Sequence, residues 1–110
     1  MPNPFGQPTT EYLYTMQPVR LAIMSEGPTE QEAPVIAEHW AYLQDLARRG
    51  ILIFGGRTLT TDESSFASVV FRADSGEQAR SIMECDPAVR SGIMRARLYP
   101  YQVLLMEGRK

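Results

Sequence analysis

Apolar positions recur along the chain at two spacings. Glu11 to Gln17 (Glu-Tyr-Leu-Tyr-Thr-Met-Gln) is rich in aromatic side chains and stops at Pro18, which cannot donate to a ladder, and so predicts a first strand. Val19 to Met24 is apolar but carries Arg20 and runs into Ser25-Glu26-Gly27-Pro28, which fits a continued strand or an irregular excursion. A helical spacing follows. Thr29-x-x-Glu32 has the form of a capping box, while Pro34 fits the first position of a helix starting slightly later. That helix runs to Arg48-Arg49, cations that suit its C-terminal dipole, and Gly50 can take the positive φ that ends it.

Ile51 to Phe54 reads as a second strand, and Gly55-Gly56 allows a bend or a close backbone approach. The polar stretch Thr60 to Ser65 leads into Phe66 to Arg72, making a hairpin with a long loop. Asp74-Ser75-Gly76-Glu77 caps a second helix with an Ala79, Ile82 and Met83 stripe that reaches about Glu84, and Asp86-Pro87 is expected to end it. After a turn to Gly92, Ile93 to Met106 predicts a long last strand bent at Pro100. Residues 1–10, with Pro2, Pro4 and Pro8, read as an extended arm, residues 11–106 as one domain, and residues 107–110 as a polar tail.

The order βαββαβ, with right-handed crossovers, predicts an α+β ferredoxin-like fold: a four-stranded antiparallel sheet with two helices on one face. The pattern also demands cover for the other face. The second strand is apolar at four successive positions, and the third carries Phe66 and Val70 on one side with Val69 and Phe71 on the other. An apolar sheet face without helices marks an interface, so a homodimer packed sheet to sheet is expected.

Composition narrows the chemistry. The chain of 110 residues has one histidine (His39), one cysteine (Cys85), one tryptophan (Trp40) and one lysine, Lys110, at its end. A zinc site of several Cys and His ligands cannot be assembled within one chain, a disulfide framework is impossible, and a buried Schiff-base lysine is not expected. The net charge of -2 lacks the basic footprint of a phosphate-backbone binder, and no apolar run approaches a membrane span. Nothing in the first ten residues resembles a signal peptide, so the expected setting is the cytoplasm, without membrane or nucleic-acid partners.

One imidazole chemistry is left. Val35, Ile36, Leu43 and Leu46 all fall within about 60° of His39 on a helical wheel, which puts the ring at the centre of the buried face. A core histidine satisfied by a backbone carbonyl fits this position. So does a site residue, because the face must pack on a sheet whose double glycine leaves room for a ligand. Asp86 can accept from an imidazole N–H and fix its tautomer, or serve only as a turn residue.

These residues carry a family resemblance. His39-Trp40-Ala41-Tyr42-Leu43-Gln44-Asp45-Leu46, then Gly50, Phe54-Gly55-Gly56-Arg57, the capped helix running into Asp86-Pro87-Ala88-Val89-Arg90-Ser91-Gly92, and the closing strand with Pro100 resemble a YciI-like (YCII-related) protein over Glu11 to Met106. The resemblance implies a dimeric α+β barrel and a His–Asp pair proposed as an active site, here His39 and Asp86. Many relatives read Ala-Gly-Pro where this chain has Gly55-Gly56-Arg57, and the Tyr12 to Thr29 segment is longer than in the shortest members. The wider superfamily includes muconolactone isomerase and dehydrochlorinase-type enzymes of aromatic breakdown.

The expected function is therefore cofactor-independent acid–base catalysis, an isomerisation or elimination on a small organic substrate. His39 moves the proton, Asp86 orients the ring, and Gly55, Gly56 and Arg57 bind the ligand, with Arg57 anchoring an anionic oxygen if it is not simply a solvated hairpin residue. Two other functions fit parts of the sequence. A non-catalytic ligand binder or oligomeric scaffold needs the same pocket. An RNA-recognition module shares the element order and matches Phe66, Val69 and Phe71, but has Ser68 in place of the central aromatic. Cys85 reads as a small buried hydrophobe, Ser64 and Ser65 as loop residues without a nucleophile elbow, and the six methionines as core and interface filler.

Overall fold

Strand and helix signals fall where backbone pairing can satisfy them. In the computed structural model, which describes residues 9–108, the elements are β1 (Glu11–Pro18), α1 (Ile23–Glu26), α2 (Glu32–Arg48), β2 (Leu52–Arg57), β3 (Ala67–Arg72), α3 (Gly76–Glu84), α4 (Pro87–Arg90) and β4 (Met94–Tyr101). The arm expected over residues 1–10 lies almost wholly outside the described residues, as do 109 and 110 of the tail. Sheet order is β2-β3-β1-β4 with every neighbouring pair antiparallel, the ferredoxin-like arrangement.

Alternation along β1 sends Tyr12, Tyr14 and Met16 to the helix side, and the register sets Phe71 beside Tyr12 and Val69 beside Tyr14. Ala79 and Met83 of α3 join this core, with Leu43 of α2 packed against it. The Tyr14 ring meets Phe71 edge-on at a centroid distance of 5.6 Å.

The capping box forms and decides where α2 begins. Glu32 N–H donates to Thr29 Oγ1 at 3.2 Å, and Thr29 N–H donates to Glu32 Oε1 at 2.9 Å. Pro34 consequently lies within the helix rather than at its start. The uncertain Val19 to Met24 stretch becomes a turn leading into α1, and Arg20 reaches back to the Glu32 carboxylate and the Gly27 carbonyl.

The Arg20 guanidinium, helped by the Thr29 N–H, holds the Glu32 carboxyl well below its ordinary 4.5, at about 2. A carboxylate with a depressed folded-state pKa adds stability above its unfolded value, and that stability is lost as pH falls through the folded one. Glu32→Gln is therefore expected to flatten the decline of Tm between 4.5 and about 2, as read by thermal melts in acid; an unchanged slope would show that Glu32 is not responsible.

Three boundaries depart from the sequence reading, each because pairing or capping overrides local composition. β2 continues through the glycines to Arg57, since β3 supplies partners Val69, Ser68 and Ala67 for Gly55, Gly56 and Arg57. The close-approach reading of the double glycine holds at Gly55, where a Cβ would sit 3.3 Å from the Ser68 carbonyl oxygen. β4 stops at Tyr101 rather than Met106, because β1 starts at Glu11 and offers no partner beyond. Asp86-Pro87 does not merely end a helix: Asp86 is the N-cap of α4 and Pro87 its first residue.

On the helix-free face, Phe54, Val70, Leu13 and Tyr99 make an apolar row across all four strands. Phe54 and Tyr99 are each 41% exposed. No helix among the described residues is long and apolar enough to cross a membrane.

Candidate active site

α2 is fixed at both ends, and so is the residue in its middle. Beyond the capping box, the C-terminus closes with Ile51 N–H donating to the Leu46 carbonyl at 2.9 Å and Gly50 N–H to Ala47 at 3.1 Å, with Gly50 at φ 72°. His39 and Leu46 are the buried residues of this helix.

Asp86 reaches the imidazole from α4. Its side chain is fully buried, which is costly for a carboxylate unless donors surround it, and three do. Oδ1 lies 2.7 Å from His39 Nδ1 and accepts from Ala88 N–H at 3.0 Å, while Oδ2 accepts from the Tyr14 hydroxyl at 2.7 Å. A carboxylate that accepts here pairs with an Nδ1–H, which leaves Nε2 as the ring nitrogen without a bond to Asp86. Nε2 makes no hydrogen bond among the described residues, yet no buried side-chain nitrogen or oxygen there lacks a partner; Nε2 therefore opens to solvent.

It opens into a cleft of about 580 Å³ between α2 and the β2 end of the sheet. Met16, Met24, Trp40, Leu43, Phe66 and Met94 supply apolar walls, and the polar side chains are few: His39, Gln44, Arg57, Ser65 and Ser68. Gly55, Gly56 and Arg57 line the cleft together with His39, so the structure brings the expected ligand-side residues to the expected imidazole. Arg57 is exposed, and its side chain makes no hydrogen bond or ion pair among the described residues.

Tyr14 is the member of this hydrogen-bonded cluster that the sequence reading missed. Burial, and then the charge and hydrogen bond of Asp86, push its hydroxyl far above the ordinary tyrosine range, so it stays a donor. Tyr42 ties α2 to α3 by donating to the Ile82 carbonyl at 2.7 Å; burial and the neighbouring Cys85 raise it to about 12.

The serines divide. Ser65 is buried and lines the cleft, whereas Ser64 is exposed and bonded to Asp62, and neither makes a hydrogen bond to His39. Cys85, expected to be buried, is exposed because α3 ends there and the chain turns inward only at Asp86.

A family model described as the YCII-related domain matches residues 12–100. No curated protein matches significantly. Among solved structures, the chain is similar to 5-chloro-2-hydroxyhydroquinone dehydrochlorinase (TftG) from Burkholderia phenoliruptrix AC1100, in a complex with 2,5-dihydroxybenzoquinone. The TM-score is 0.62 at 20% identity, over 84% of this chain and 93% of that one, a likeness of fold.

Proposed function

The chain belongs to the YCII-related domain family, and from that premise we propose that it is a small-molecule enzyme working by general acid–base chemistry, with His39 as the proton-transfer group and Asp86 as its orienting partner. The observation that carries this reading is an imidazole with one nitrogen tied to a buried carboxylate and the other open to an apolar cleft. A core histidine needs no such opening.

In this mechanism Nε2 takes a proton from a C–H or O–H of the substrate, and the imidazolium that forms faces the Asp86 carboxylate. In an isomerisation the same proton returns to another atom of the substrate. In an elimination the C–H electron pair becomes the new double bond and a leaving group departs with its own pair. Arg57 offers two parallel N–H donors to an ionised oxygen, and the apolar walls suit a flat ring. The dehydrochlorinase activity of the similar structure, and the dihydroxybenzoquinone in it, support a substrate of the aromatic-breakdown type.

Phenols, lactones and carboxylates screened by thermal shift test the ligand class, since a ligand at 100 times its Kd stabilises by about 2.7 kcal/mol. Arg57→Gln is expected to weaken anionic hits roughly tenfold and spare neutral isosteres. An absence of hits, or equal weakening of both classes, would count against this assignment.

The apolar row on the helix-free face supports a second copy of the chain as its cover, as a sheet-to-sheet homodimer. Light scattering at micromolar concentration is expected to give twice the chain mass, and Phe54→Glu to halve it; a monomeric wild type would refute the pairing.

A further inference from the structure

We infer that Tyr14 is a positioning residue for His39, a buried hydroxyl that occupies one oxygen of Asp86 so that the other is committed to the ring. This rests on the reading of His39 as the proton-transfer group. The Asp86 carboxylate has two equivalent oxygens and turns about a broad terminal torsion, so one partner does not fix which oxygen meets the imidazole. Here Oδ2 is taken by Tyr14, and Oδ1 is shared by His39 Nδ1 and Ala88 N–H. The carboxylate can no longer turn without breaking a bond that bulk water cannot replace, because Asp86 is fully buried.

Tyr14 is suited to this task. It sits on β1, a central strand paired with β3 on one side and β4 on the other, and its ring is braced edge-on by Phe71. Both copies of its neighbourhood's packing needs, the ring contact and the filled volume, would be met by phenylalanine. The hydroxyl is what packing leaves unexplained, and its hydrogen-bond partner among the described residues is the carboxylate that holds the histidine. Orientation thus passes from the sheet to Asp86 and from Asp86 to the ring, leaving Nε2 toward the cleft.

The lone histidine makes the test specific, because the imidazole ¹⁵N spectrum of the labelled protein reports only His39. The neutral wild-type ring is expected as a single tautomer with the proton on Nδ1 and Nε2 bare. In Tyr14→Phe the carboxylate still accepts from Nδ1, but it is free to turn, so the Nδ1–H is expected to exchange with water roughly tenfold faster or more and its resonance to shift. A wild-type spectrum with the proton on Nε2, or a Tyr14→Phe spectrum and exchange rate identical to wild type, would overturn the inference.

If Tyr14→Phe does not fold, biosynthetic incorporation of 3-fluorotyrosine keeps every ring and hydroxyl and makes the phenol a stronger donor. It should draw charge from Oδ1 and move the Nδ1–H resonance upfield; an unmoved resonance would again refute the role. None of these readouts requires turnover. Full activity in a His39 variant would remove the catalytic reading and leave the Tyr14 result intact, so the two failures are distinguishable.

Discussion

His39→Ala is expected to lower kcat/KM by about 10²–10⁴-fold on any substrate the cleft turns over, the usual range for removing a proton-transfer group. The reason is geometric as well as chemical. His39 is the only imidazole in the chain, and the other polar side chains of the cleft are an arginine, two serines and a glutamine, none of which exchanges protons readily near neutrality. The loss should fall on kcat, while ligand affinity changes little, because the walls and Arg57 are untouched. Stability should drop by only about 1–3 kcal/mol, since Asp86 keeps its bonds from Tyr14 and Ala88 after losing one donor. Steady-state kinetics with a parallel melt checks both parts. Retention of wild-type kcat would eliminate His39 from the mechanism.

The second large effect is expected at Asp86, and there activity and stability separate by the choice of substitution. Asp86→Ala strips the acceptor from Tyr14, His39 and the N-terminus of α4 together, in a fully buried place. With three buried donors left unmatched at about 1–3 kcal/mol each, a loss of at least about 3 kcal/mol is expected, a large part of a small domain's total. Asp86→Asn keeps the volume and can keep the helix cap. Its NH₂ group, however, can only donate: facing His39 it draws the ring into the tautomer with the proton on Nε2, which then cannot accept, and no charge remains to balance an imidazolium. That variant should stay folded and lose about 10²–10⁴-fold in kcat. Denaturant titration and single-turnover kinetics on the pair separate the two roles; an active, stable Asp86→Ala would refute both.

Much of the scaffold was legible because its signals are local. The Thr29/Glu32 box, the Ser75 cap and the Gly50 stop each depend on a few adjacent residues, and each forms. His39 was legible for the same reason, as helical periodicity alone puts it on the inner face. What was not legible depends on partners distant in sequence. The end of β4 is set by where β1 begins, and the length of β2 by how far β3 accompanies it. Asp86-Pro87 was read as a terminator, although an acidic cap followed by proline at the first helical position is equally a start. Tyr14 was hidden among ordinary strand aromatics. Its one available signal was that a tyrosine on the inward side of a strand needs a partner for its hydroxyl, and the sequence does not say which.

The edge position of β2 also bears on how such a scaffold diversifies. This strand pairs only with β3 and contributes Gly55, Gly56 and Arg57 to the cleft, while Tyr14, His39 and Asp86 ride on β1, α2 and the N-cap of α4. Substitutions along one edge can therefore change which molecules are admitted without disturbing the group that acts on them. On the proposed function, what would choose the ligand and what would act on it sit on separate segments, so one could drift while the other is retained.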